Sequence, residues 1–527
     1  MQKISEKKFV IVLALIAFLW NLAPDLYRAT HPVEDVTYVG LPTISMDFSF
    51  YLTEMRAGFE GKWLSVDPFT TEEHSPLFYH PFYLSLGHLS RIAGLSIEKT
   101  FHIARYAFGL LFMAASIYCT RSLVRSLRVR RYAYLLTFFA GGIGYIVPFA
   151  VRVWPGTTSL LRFADFPHFM LAHSLFVFAA TLCFLYGRET RCLRMAVAGM
   201  CVALLNIVLP YYSILLIALA GVLVVERMLS LPSERKKIAL HAFLFLAISL
   251  PSFIVMALIG LSDHPLAISQ HGVLRAYSIP ELLTGFGGLW IFFIIGFRSL
   301  QRHDDGRASA CTLACGMLLM YSLPIAQKTR LFEATTILPV AIGASYGMSL
   351  FFEVLTRWRN RSGSLMRDTV LVSAITLVVV GIFAGPAVAS WKRFLVRYHS
   401  DATRVSSPFL PNGNIEAMRW LSVHTKNESI ILSSMVNGNV IPYFSNRRVF
   451  IGHWLLTLDL DRKRKQAYAI FEGRDSQNTM HEFLKKEKIS YVFYSFYEKI
   501  PGDFSPENYS FLKNVYQNRE VTLYQVL

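Results

Sequence analysis

The residues best suited to chemistry in this 527-residue chain are acids, histidines and cations gathered in short polar segments between long apolar runs. The densest segment opens with Met46-Asp47-Phe48-Ser49-Phe50-Tyr51 and continues through Glu60-Gly61-Lys62-Trp63, Glu72-Glu73-His74-Ser75-Pro76 and His80-Pro81-Phe82-Tyr83. A carboxylate such as Asp47 can take a proton from a hydroxyl. It can equally sit in the first turn of a helix because the helix dipole favours an acid there. Glu72, Glu73 and His74 read first as a solvated turn and second as a substrate or metal contact. Another segment, Arg162-Phe163-Ala164-Asp165-Phe166-Pro167-His168, is followed five residues on by His173. One Asp and two His can hold a divalent cation or a phosphate, or serve as hydrogen-bonded interface residues. In Gln327-Lys328-Thr329-Arg330-Leu331-Phe332-Glu333, two cations and an acid can hold a phosphate or anchor the chain at an interface.

These segments need elements to position them. Phe48, Tyr51, Leu52, Met55 and Phe59 share one helical face, which predicts an interfacial helix beginning near Asp47. With 54% apolar residues, 17% charged residues and a mean hydropathy of +0.40, most of the chain belongs in lipid. The net charge of +17 comes from Lys and Arg in short loops between apolar runs, as the positive-inside rule expects, so no nucleic-acid partner is expected. The six cysteines all lie in or beside apolar runs, and none follows residue 390, which argues against a disulfide framework.

About eleven spans are expected: near 9–22, 101–120, 132–151, 169–186, two within 195–228 hinged at Pro210, then 238–260, 280–298, 309–325, 334–353 and 368–389. The first reads as a retained span, because no small-residue cleavage site follows it. Loops rich in Arg and Lys recur on one side, which puts the N-terminus in the cytoplasm and the C-terminal region outside, in a plasma (inner) membrane protein. The expected fold is a multi-pass α-helical membrane module, residues 1–390, with a first outer loop at 28–99 and an extracytoplasmic α/β domain at 391–527. In that domain Ile415 to Val423 reads as a helix, and residues 429–433, 490–494 and 521–526 as strands. The run Arg462-Lys463-Arg464-Lys465 reads as a solvated face. The span centres are nearly free of acids and bases, which argues against a path through the membrane and for chemistry at its outer surface. The outer domain has no Asp-x-Asp and no Gly-rich phosphate loop, so nucleotide-sugar chemistry is not expected there.

The pattern resembles the C-type (GT-C) glycosyltransferases, which include protein O-mannosyltransferases, oligosaccharyltransferase catalytic subunits and lipid A aminoarabinose transferases. The resemblance lies in the long first outer loop with Asp47 just after the first span and Tyr51 one turn on, in Glu60-Gly61-Lys62-Trp63, in Arg330-Leu331-Phe332-Glu333 before a Pro-containing span, and in the outer domain. Ala417-Met418-Arg419-Trp420-Leu421 and Ile451-Gly452-His453-Trp454 are similar to segments of uncharacterised bacterial members. The resemblance implies transfer of a sugar from a polyprenyl-phosphate donor to an acceptor at the outer face, with inversion. Asp47 would be the general base, and Tyr51, Glu72, His74, His80, Asp165 and His453 would contact substrate. Arg330 and Lys328, with His168, His173 and Glu333, would surround the carrier phosphate. Some members use a divalent cation, Mg or Mn, for which Asp47 and Asp165 would be the ligands. Two departures bear on the acceptor. Asp47 is not part of a paired Asp-Glu, and the outer domain has no Trp-Trp-Asp, so a lipid or polysaccharide acceptor is expected rather than a protein. Two other classes stay open: a flippase or other transporter of lipid-linked sugars, and a membrane scaffold without catalysis.

Overall fold

The computed structural model describes residues 5–40, 46–78, 80–142, 160–262, 276–300, 302, 304–324, 328–333, 337–361, 365–404, 409–502 and 504–527. The chain is a multi-pass helical membrane protein. Seven helices among the described residues are long and apolar enough to cross a membrane: Glu6–Thr30, Ile97–Leu123, Pro167–Arg188, Pro210–Ser230, Pro232–Gly260, Ile337–Arg359 and Val370–Val396. Helices Ile279–Phe286 and Gly288–Leu300 pass the same test together but meet at 92°. Their hinge is Gly287, whose φ of 47° side chains rarely tolerate. Every expected span carries a helix, though Cys192–Val208 is short, and much of the expected span 132–151 lies outside the described residues after helix Leu127–Phe139. The expected hinge at Pro210 is present: one helix ends at Val208, Leu209 is non-helical, and Pro210 opens the next helix, where its missing N–H costs nothing.

The chain divides into two compact units. One comprises the residues up to Ala29, His102–Ala257 and the stretch ending at Arg393; the other comprises Thr30–Phe101 and Phe394–Leu527, with the segment that begins at Leu258. In the first unit, the Asn21 side-chain oxygen accepts from the Phe163 amide at 3.0 Å while its Nδ2 donates to the Ala17 carbonyl at 2.8 Å. This ties the segment before helix Pro167–Arg188 to the first span. Arg105 is fully buried among apolar helices, where its guanidinium donates to Asp25 and to the Tyr106 hydroxyl. An ion that deep persists only when paired and hydrogen-bonded.

The second unit holds the sheets. β1 (Val36–Tyr38) pairs antiparallel with β2 (Phe409–Pro411), joining the segment after the first span to the start of the C-terminal region. Five further strands, β3 (Ile430–Leu432), β4 (Arg448–Val449), β5 (Ile489–Tyr494), β6 (Leu512–Gln517) and β7 (Thr522–Val526), form a mixed sheet in the order β4-β3-β5-β7-β6. Leu432, Val492, Phe450, Leu484 and Phe471 fill the core beneath it.

Two expectations are corrected here. Helix Met46–Phe59 does not offer its apolar face to a membrane, because Phe48, Leu52 and Met55 are buried within the unit. Helix Pro81–Ala93 packs on it so closely that a Cβ on Gly87 would stand 2.0 Å from the Met55 carbonyl oxygen, and one on Gly58 2.1 Å from the Leu84 oxygen. Nor is the 462–465 run uniformly solvated. Lys463 is buried, and its Nζ donates to Glu72 at 2.6 Å and to the Thr70 and Thr71 hydroxyls at 3.0 Å each.

Candidate active site

Asp47 stands in the first turn of helix Met46–Phe59, the position a helix dipole favours for an acid. Its carboxylate is engaged from the C-terminal region. His453 Nε2 donates to Asp47 Oδ1 at 3.2 Å, and the Trp454 indole N–H points at the same oxygen from 3.4 Å. The histidine tautomer follows from the other side of the ring. The Leu455 amide donates to His453 Nδ1 at 3.3 Å, so Nδ1 is the acceptor and the ring proton resides on Nε2, facing Asp47. The imidazole is 3% exposed against 31% for the Asp47 side chain, so a buried donor holds a partly open carboxylate.

The loop carrying His453 is latched in turn. The Thr457 hydroxyl donates to the Phe69 carbonyl at 2.8 Å, the Gly452 amide donates to that hydroxyl at 3.0 Å, and the Leu458 amide donates to the Thr70 hydroxyl at 3.2 Å. Phe50, buried one turn from Asp47, is the hub of the site. Its ring centroid lies 5.5 Å from that of His453, 5.3 Å from His80, 5.1 Å from Tyr51 and 6.2 Å from Phe69. Tyr51 stacks on Tyr83 at 4.3 Å, and His80 takes a φ of 49° at the start of helix Pro81–Ala93. Asp47, Tyr51, His80 and His453 are thus brought together.

Glu72 and His74 serve the loop itself. Burial opposes ionisation of Glu72, but hydrogen bonds from Lys463 and Thr70 outweigh it and hold the carboxyl below its ordinary range. His74 Nε2 accepts from the Asp67 amide at 2.9 Å, which leaves Nδ1–H to donate to the Glu72 carbonyl at 2.9 Å. Behind them lie two buried acids that sequence reasoning missed, Glu54 and Asp67, each 2% exposed. Burial pushes the Glu54 carboxyl up to about 8, with Ser65 opposing and the Asp67 charge adding. Burial likewise pushes Asp67 up to about 7 against the pull of the Phe69 amide, Arg448 and Lys463. Glu54 Oε2 and Asp67 Oδ2 find no hydrogen-bond partner among the described residues. Glu54 lies seven residues after Asp47, on the same helical face, which is a signal of proximity but not of burial.

The other unit gathers the cations. The Arg330 guanidinium lies over the Phe169 ring at 4.8 Å, and the His168 ring centroid is 4.1 Å from that of Phe169. His173 Nε2 and the Tyr212 hydroxyl hydrogen-bond at 3.1 Å, and the charge of Arg330 bears on both His173 and Tyr211. Arg330, His168 and His173 are thus brought together. Asp165 is buried and accepts from the Phe166 amide at 2.7 Å. Lys328 is half-buried in the turn before Arg330–Glu333, and Glu333 closes that helical turn. No group of three or more His, Cys, Asp or Glu side chains able to hold a metal occurs among the described residues.

No model of a known protein family matches the chain, and no curated protein sequence matches it. Solved structures do. The chain is similar to the Archaeoglobus fulgidus oligosaccharyltransferase in the apo form, with a TM-score of 0.57 and 14% identity, covering 94% of this chain and 70% of that one. The complex of the same enzyme with Zn and sulfate matches with a TM-score of 0.55 and 13% identity over 92% of this chain and 68% of that one. ArnT from Cupriavidus metallidurans bound to undecaprenyl phosphate matches with a TM-score of 0.55 and 12% identity over 98% of this chain and 97% of that one. At 12–14% identity these likenesses show that the chain shares the fold of that oligosaccharyltransferase and of ArnT over more than nine-tenths of its own length.

Proposed function

We propose that the chain is an inverting membrane glycosyltransferase, which moves a hexosyl or pentosyl group from a polyprenyl-phosphate carrier to a hydroxyl of a lipid or polysaccharide, with Asp47 as general base. The reading places the reaction at the outer face of a plasma membrane, with the N-terminus inside. It divides the chain into a membrane module, 1–390, and an outer domain, 391–527. The observation that carries it is the carboxylate of Asp47, partly open and oriented by His453, in a fold shared with a transferase bound to undecaprenyl phosphate.

Asp47 takes the proton of the acceptor hydroxyl as that oxygen attacks the anomeric carbon. The bond from that carbon to the carrier phosphate breaks, and the phosphate leaves with the electron pair. The donor from His453 fixes the orientation of the Asp47 carboxylate. The Tyr51 and His80 rings meet edge to face at 5.9 Å, beside Phe50. Arg330 is assigned to the carrier phosphate, with Lys328, His168 and His173 adding positive or hydrogen-bonding character. Two N–H donors engage Asp47 Oδ1, and no step is routed through a metal.

The test is transfer of labelled sugar from a short-chain polyprenyl-phosphate donor by the purified protein, comparing wild type with Asp47→Asn. Loss of transfer by about 10²-fold or more, in a variant that still binds donor, is the expected result. Unchanged transfer removes Asp47 as the base. No transfer from any donor moves the reading towards a transporter or a scaffold.

A further inference from the structure

Trp454 is the exposed residue in an otherwise enclosed turn. It is 43% exposed, whereas Ile451, Gly452, His453, Leu456 and Thr457 around it are buried. The turn is rigid, because the Leu456 and Thr457 amides both donate to the His453 carbonyl, at 3.2 and 3.0 Å. The indole N–H is directed at Asp47 Oδ1, so the one polar atom of the side chain is already engaged and the rest of the ring is apolar. That bond also fixes the orientation. A group stacked on the indole at about 4 Å, the ordinary contact distance, lies alongside the Asp47 carboxylate.

We propose that the face of Trp454 is the platform on which the transferred sugar ring stacks, and that the donor sugar is therefore a pyranose with an unbroken row of C–H groups on one face. This rests on the glycosyl-transfer reading of Asp47. A pyranose of that kind covers an indole with several C–H contacts at once, each weak but additive, while its hydroxyls project from the rim towards acceptors such as a carboxylate. A furanose presents a smaller and more puckered apolar face. The platform adds a specificity element from the C-terminal region to a base supplied by the first outer loop.

The experiment is competition binding to the purified full-length protein. The probes are short-chain polyprenyl phosphates bearing glucose, mannose or arabinofuranose, each measured against the bare polyprenyl phosphate. Wild type is expected to prefer at least one pyranose-bearing carrier over both the bare and the arabinofuranosyl carriers. Trp454→Ala should remove about tenfold of that preference while binding the bare carrier as wild type does, and Trp454→Phe should retain most of it. A Trp454→Ala protein with the wild-type preference overturns the platform and leaves the transfer reading standing. So does a Trp454→Phe protein that loses as much as Trp454→Ala, because the N–H bond to Asp47 would then be what matters. A wild type that prefers no sugar-bearing carrier overturns the transfer reading, and the platform with it.

Discussion

Asp47 is held by two N–H donors, from residues 406 and 407 positions away in the chain, whereas Arg330 rests on the face of Phe169 with His168 and His173 nearby. A hydrogen bond is directional and fails when the donor moves by an ångström. A cation over a ring is attracted across a broad face. The acid is therefore built for one orientation, and the cation cluster for charge at a place. The two should respond differently to substitution.

The largest effect should come from breaking the packing that aims the acid. Gly87→Ala puts a Cβ 2.0 Å from the Met55 carbonyl oxygen, so helices Met46–Phe59 and Pro81–Ala93 must separate. A loss of about 3 kcal/mol is expected in denaturation of the purified protein. A variant as stable as wild type would show that this contact does not set the helix spacing.

Arg330→Gln should weaken binding of bare polyprenyl phosphate by about 10- to 100-fold, the worth of a charge-assisted hydrogen bond, with little change in stability. By contrast Phe169→Leu should cost about fivefold or less, since a ring face contributes only about 0.5–1 kcal/mol. A larger loss from Phe169→Leu than from Arg330→Gln would reverse the comparison.

The acid side should also carry a pH signature. Burial puts the Glu54 and Asp67 carboxyls at about 8 and about 7, above the ~4.3 and ~3.9 of unfolded chains. The folded state then binds these protons more tightly than the unfolded one. Their contribution to stability is full below about pH 4 and is lost as pH rises to about 8. Wild-type melting temperature should fall between pH 6 and 8, and Glu54→Gln, which cannot ionise, should fall less. An equal slope in the two proteins would mean that Glu54 does not titrate in this range.

Much of the fold was legible because it is written in local patterns. Apolar length marked the spans, Pro210 marked a hinge, and the strands at 430–432, 489–494 and 522–526 fell within two residues of their apolar runs. What was not legible depends on partners distant in the chain. Nothing local says that Val36–Tyr38 pairs with Phe409–Pro411, so the joining of the segment after the first span to the C-terminal region was invisible. The face Phe48, Leu52 and Met55 has the spacing of an interfacial helix and of a buried one alike, and only the close approach at Gly87 decides between them. Lys463 sits in a basic run yet is buried because Glu72 reaches it. His453 could be singled out from a resemblance, but its bond to Asp47, and Trp454 beside it, follow only from the fold.

The most direct test of the account is a double-mutant cycle on sugar transfer with Asp47→Asn, His453→Ala and the double variant, alongside carrier binding. His453→Ala alone should lower transfer by about 10- to 100-fold with carrier affinity unchanged, the loss of one hydrogen bond to a charged group. In the Asp47→Asn background the same substitution should have no further effect, because His453 acts through that carboxylate. An additive loss in the double variant, or undiminished transfer in His453→Ala, would contradict the claim that His453 positions Asp47 as the base.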